Sequence, residues 1–176
     1  MRKLATHLRD LPLPVVRYVP SLDDYQIAWN YTTDKVCEGK TLLLGIPGCF
    51  FPSATHKFLP EYLRHAAELR ALGQFDRFVV LAPNDPYVVQ TFAQEVDALH
   101  VFEYLCDFQS QLAKSLHVDF PSFGQRSRLF RGIVDEGRVT QLVVEDNWQM
   151  TAKTRVHRLL QQLLEAPPYP NSVYSD

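Results

Sequence analysis

The 176 residues suffice for one domain with a continuous core and no covalent staples. Hydrophobic residues make up 46 % and charged residues 22 % of the chain, a globular composition that excludes a fibre or a disordered polymer. A net charge of −2 lacks the basic excess that a broad nucleic-acid surface or an anionic membrane face requires.

No apolar run approaches the roughly 20 residues that cross a bilayer. The opening MRKLATHLRDLPLP has charges but no apolar stretch or small-residue cleavage site, so no signal peptide is read and the cytoplasm is the expected location. Cys37, Cys49 and Cys106 are too few and too scattered for a disulfide framework and are read as thiols.

In chain order, the first 36 residues are proline-bearing, with partly alternating apolar character over Tyr25 to Tyr31. They predict an irregular lead-in with one or two short strands, and Cys37 falls in a loop that exposes it. After the turn Glu38-Gly39-Lys40, the apolar run Thr41 to Ile46 predicts a strand buried on both faces, ended by Pro47-Gly48. Phe58, Tyr62, Ala66 and Leu69 give helical spacing across Ser53 to Leu72, with Gly73 as the C-terminal cap and Pro60 either kinking the helix or dividing a first turn from the main body.

Arg77 to Ala82 is a second buried strand, and Asp85-Pro86 caps a helix running to about Val96. His100 to Leu105 predicts a third strand and Phe108 to Leu116 a short helix. Leu129 to Val134 and Arg138 to Val144 form a hairpin around Asp135-Glu136-Gly137. Thr151 to Leu164 is a closing amphipathic helix with Val156, Leu159, Leu160 and Leu163 on one face. Residues 1–176 are thus read as one α/β domain with a mixed central sheet flanked by helices and a loose tail over 167–176.

The stretch Pro47-Gly-Cys-Phe-Phe-Pro-Ser-Ala-Thr-His-Lys-Phe-Leu-Pro60 is more specific. It resembles the active-site segment of the atypical, type-5 branch of the peroxiredoxins, with Pro47, Gly48, Phe50, Pro52, Thr55, Leu59 and Pro60 standing where that family's residues stand. Asn84-Asp85-Pro86-Tyr87-Val88 resembles the family's asparagine-aspartate stretch, and the similarity spans about residues 10 to 164. The resemblance implies a thioredoxin-like fold and a homodimer that packs near the active-site edge. It also implies a thiol-dependent peroxidase in which a first-turn cysteine, held as thiolate by the helix end and an arginine, attacks peroxide.

The family's proline survives as Pro47, but its hydroxyl position holds Phe51 and its nucleophile position holds Ala54. Its arginine lies eight residues before the hairpin glycine, which is Leu129 here, with Arg128 adjacent. A one-residue bulge brings Arg128 to the pocket, and an unshifted strand points it to the opposite face. The resolving cysteine of some members falls close to Ala152.

Among other nucleophiles, Cys49 lies near the helix's positive end, where a thiolate is favoured, or it is a small packed side chain. Cys106 is read as core and Cys37 as incidental. The histidines at 7, 56, 65, 100, 117 and 157 show no metal-ligand spacing, His56 reads as a solvated first-turn residue, and Gly45 to Gly48 lack the pattern of a phosphate loop. No metal and no cofactor are called for. Arg126, Arg128 and Arg131 are a solvated strand face or an anion or partner patch.

Three readings follow. The first is a peroxiredoxin-like pseudoenzyme that binds a protein or ligand near Phe50, Phe51 and Arg128. The second is a thiol peroxidase working through Cys49. The third is an active peroxidase in which a designed exchange has placed alanine at position 54.

Overall fold

A computed structural model describes residues 6–121 and 124–166, so the tail read at 167–176 lies outside the described residues. In chain order these carry β1 (Thr6–His7), β2 (Val15–Val19), β3 (Asp24–Ala28), α1 (Thr33–Val36) and β4 (Lys40–Gly45). A π-helical turn over Ala54–Phe58 runs into α2 (Leu59–Arg64) and α3 (Ala66–Gly73), followed by β5 (Arg77–Ala82), α4 (Pro86–Val96), β6 (Phe102–Cys106) and α5 (Gln111–Ser115). The rest is β7 (Asp119–Pro121), β8 (Gln125–Ser127), β9 (Phe130–Asp135), β10 (Arg138–Val144) and α6 (Val156–Glu165).

Eight strands form one mixed sheet in the order β1-β10-β9-β4-β5-β6-β2-β3. Strands β4, β5 and β6 are parallel, with Thr41 opposite Arg77 and Phe78 opposite Phe102, and the pairs towards either edge are antiparallel. The two-residue period of a strand divides the apolar side chains between the faces. Leu42, Leu44, Phe78, Val80, Phe102 and Tyr104 join one core cluster, which Phe58, Tyr62, Leu69, Val89, Phe92 and Leu159 complete from α2, α3, α4, α6 and the turn before them. Leu43, Val79, Leu81 and Leu105 join the other, under α1, α5 and the segment around Leu8 to Leu13.

Local chemistry sets the ends of the elements. Asp85 accepts from the Tyr87 and Val88 backbone N–H groups at 2.9 and 3.2 Å, with Pro86 at the first helical position. The β9–β10 hairpin closes on Glu136 (φ 47°) and Gly137 (φ 76°), the paired left-handed residues of a two-residue turn. Pro60 has no N–H and cannot continue an α ladder. The turn before it is wide, the Leu59 N–H reaching the Ala54 carbonyl, and α2 begins beyond it.

Several expectations change. The lead-in is an ordered hairpin of β2 and β3, and Cys37 is buried at the end of α1. Gly73 is helical, and Gln74 (φ 52°) takes the left-handed cap; Gly73 is small because an added Cβ would lie 2.2 Å from the Phe75 ring. The closing helix starts at Val156, since Thr151 to Thr154 fold around a buried carboxylate. Strands β7 and β8 pair as a separate antiparallel ribbon in a stretch that carries no strand signal. Among the described residues no helix is long and apolar enough to cross a membrane.

Asp97 ties the edge hairpin to the sheet. Fully buried, it accepts from the Tyr25 and Tyr104 hydroxyls and from the Val101 and Phe102 N–H groups. Asp97→Ala strands these donors and is expected to cost at least about 3 kcal/mol in urea unfolding, with Asp97→Asn recovering part of the loss.

Candidate functional site

Strand β4 leads into the Pro47–Ser53 bend and then the wide turn at Ala54. Asn84, in the loop after the neighbouring strand β5, holds this bend by accepting from the Cys49 N–H at 2.9 Å. Phe50 takes φ 63°, a strained conformation for a bulky side chain, and sets its half-exposed ring edge-on to Phe92 at 5.2 Å. The helical segment begins at Pro52, with the Thr55 N–H donating to the Phe51 carbonyl at 2.8 Å.

Ala54 is fully buried in the cluster that contains Phe58, Leu59, Tyr62 and Leu129. Leu129 is held extended, its N–H on the Asn147 carbonyl (3.0 Å) and its carbonyl taking the Glu145 N–H (2.8 Å). Arg128 donates its N–H to the Val118 carbonyl (2.8 Å), and its half-buried side chain keeps a buried Nε without a hydrogen-bond partner. Ala54 and Leu129 share one core cluster, Phe51 packs against it, and Pro47 lies beside Phe51 under the Arg126 guanidinium.

Arg126 comes from β8. Its guanidinium lies 4.8 Å from the Phe51 ring centroid and donates to the Pro47 carbonyl at 3.4 Å. Gly48 makes room for it, since an added Cβ would stand 2.7 Å from that guanidinium. Arg131, grouped by sequence with a solvated strand face, is instead buried. It donates to Gln141 at 2.9 Å, its Nε has no partner, and burial lowers its pKa.

Two buried carboxylates fix the wall facing the first helical turns. Glu145 accepts from the Thr151 N–H and hydroxyl and from the Thr154 hydroxyl, at 2.6 to 3.0 Å. Glu61 accepts from Arg155 at 2.8 and 3.0 Å and from the Val156 N–H at 3.1 Å, which caps α6. The Ser53 hydroxyl donates to the Trp148 carbonyl (2.5 Å) and the Tyr62 hydroxyl to the Thr154 carbonyl (2.6 Å).

Two clefts open along this seam. One, of about 690 Å³, is lined by Phe51, Pro52, Ser53, His56, Lys57, Trp148, Gln149 and Met150. The second, of about 700 Å³, shares His56, Lys57 and Met150 and adds Glu61, Arg64, Thr151, Ala152, Arg155 and His157. Neither the clefts nor the carboxylates behind them show in the sequence pattern. An exposed Glu61 and a buried one look alike in a helical pattern.

The thiols lie elsewhere. Burial pushes Cys49 up to about 12, and the Asp85 carboxylate adds to the shift. Burial raises Cys37 to about 12 and also raises Cys106.

The Redoxin family model matches residues 15–160. Peroxiredoxin-2C of Oryza sativa subsp. japonica is 27 % identical over 144 residues, which cover 74 % of this chain and 88 % of that protein. Mitochondrial peroxiredoxin-2F from the same plant is 28 % identical over 130 residues, 69 % of this chain and 65 % of that one. The crystal structure of the Plasmodium falciparum antioxidant protein, a 1-Cys peroxiredoxin, superposes with a TM-score of 0.80 at 18 % identity, over 92 % of this chain and 99 % of that one. The mixed sheet and its helices are thus the thioredoxin-like fold of those structures.

With every thiol raised, the expected reaction with a disulfide reagent at pH 8 shows no fast cysteine, and the Cys49 rate climbs about tenfold per pH unit towards 12. The desolvated thiols also set a direction for stability. They hold their protons in the fold above the roughly 8.5 at which unfolded thiols lose them. Stability is therefore full below about pH 8.5 and falls as pH rises towards 12, which a urea titration across pH 7 to 10 measures.

Proposed function

We propose that this chain, which belongs to the redoxin family, keeps the peroxiredoxin scaffold without its peroxidase and acts by binding. The observation that carries the reading is the sealing of Ala54. The residue at the family's nucleophile position has no solvent exposure, and Leu129, at the arginine position, packs in the same apolar cluster. Phe51 stands where the family places a peroxide-binding hydroxyl, and Arg126 is stacked over it. A thiolate needs a polar, electropositive surround, and the cluster around Ala54, with Phe58, Leu59 and Leu129, is apolar. Three concerted replacements also weigh against a single designed exchange at position 54.

On this reading the binding surface is the edge bearing Phe50 and Phe51, where the family resemblance also puts a homodimer contact. The cytoplasm remains our assignment, although mitochondrial relatives exist. The competing reading, a peroxidase using Cys49, draws on the thiol's partial exposure and its place beside the helix start. Against it stand the desolvated thiol and the like-charge effect of Asp85.

Prereduced protein is expected to consume hydrogen peroxide and an organic hydroperoxide no faster than buffer, and Cys49→Ser to change nothing. Turnover that disappears in Cys49→Ser would sink the reading. Ala54→Cys alone should also stay inactive, because the surround is apolar. The triple change Ala54→Cys, Phe51→Thr, Leu129→Arg should bring the new thiol's pKa below that of the single variant, measured by the pH dependence of alkylation.

A further inference from the structure

We infer that the two adjoining clefts form one groove that takes an acidic peptide segment of a partner protein. An apolar side chain would sit against Phe51, Trp148 and Met150, with the following carboxylates at Lys57 and Arg64. This rests on the binding function proposed above and names the class of its partner.

The groove is continuous because His56, Lys57 and Met150 line both halves. It is preformed, since Ser53 holds Trp148 and Glu145 and Glu61 hold the wall beyond it, so little ordering cost falls on binding. One half is apolar and the other is cationic.

Charge decides the occupant. Lys57 and Arg64 are seven residues apart, about two helical turns, and share a side of the helix. Glu61, placed between them to neutralise both, is turned inward and taken up by Arg155 and the Val156 N–H. It is the only carboxylate among the described residues lining either cleft. No salt bridge among the described residues joins Lys57 or Arg64 to an acid. This is a local cationic stripe on a chain whose net charge is −2.

Length favours a peptide over a small anion. From Ser53 to Arg64 the helix rises about 16 Å, which an extended chain spans in about five residues. The two cations lie about 10 Å apart, so the carboxylates they face belong two to four residues apart.

The two tryptophans supply the readout. Trp148 lines the groove, and the exposed Trp29 follows β3 at the far edge of the sheet. Capped six-residue peptides, with Phe or Leu first and glutamate at two or three of the last four positions, are titrated into the ¹⁵N-labelled full chain. The Trp148 indole resonance is expected to shift saturably at sub-millimolar peptide while the Trp29 resonance stays still. Lys57→Glu and Arg64→Glu, both surface changes, should each weaken binding about tenfold or more, as should raising the salt from about 0.05 to 0.5 M.

The proposal is overturned if no peptide moves Trp148, or if glutamine versions bind equally well. It is also overturned if decanoate moves Trp148 where the peptides do not, or if the shift tracks protein concentration alone, the mark of a second copy. Peroxide consumption by the same sample separates the two proposals. Turnover through Cys49 with peptide binding intact removes the pseudoenzyme reading and leaves the groove, whereas neither turnover nor binding removes the groove alone.

Discussion

The central strands β4, β5 and β6 carry apolar side chains on both faces, and this constraint organises the rest of the molecule. Neither face tolerates water, so the chain must cover each with helices before the sheet is stable. That requirement fixes where β4 ends. Gly45 passes under the Phe130 ring with no space for a side chain, and the bend after it must enter the helix that covers the first face. Ala54 then falls at the point where strand, helix and the start of β9 converge, and it is buried there because the layer demands it.

The second determinant is polar. Glu61 and Glu145 are buried carboxylates whose acceptor sites are filled by hydroxyls, backbone N–H groups and one guanidinium. Removing either partner of such an arrangement strands a charge, so these contacts hold the wall opposite the helix more firmly than surface ion pairs do. Glu61 also explains why Lys57 and Arg64 stand unneutralised along the seam, since it lies between them in the chain and is engaged by Arg155 and the Val156 N–H. Proposed pocket loss and proposed groove thus share one origin: the interior at Ala54 is apolar, while the polar chemistry has moved to the seam outside it.

Much of this was legible in the sequence. Continuous apolar runs located β4, β5 and β6 to within a residue or two, Asp85-Pro86 marked the start of α4, and the segment from Pro47 to Pro60 carried the family. Pattern reading failed where local rules gave way to tertiary ones. Cys37 looks like a loop thiol, yet it closes α1 under the sheet. Arg131 looks like a solvated strand residue, yet it points into the face that Leu129 and Ile133 bury. Short strands such as β7 and β8 have too few residues to show a period, so the sequence could not reveal that Arg126 approaches Phe51.

The raised pKa of all three thiols, two of them buried and Cys49 half-buried, bears on how such a scaffold would behave in a cell under oxidative load. Catalytic relatives must expose a thiolate to work, and an exposed thiolate can climb the ladder to sulfinic and sulfonic acids. A chain whose sulfurs stay protonated does not enter that ladder readily. Its cysteines would stay as thiols through an oxidant burst. Occupancy of the groove would then follow the partner's concentration and the ionic strength, with the Met150 thioether the one sulfur in the groove open to oxidation.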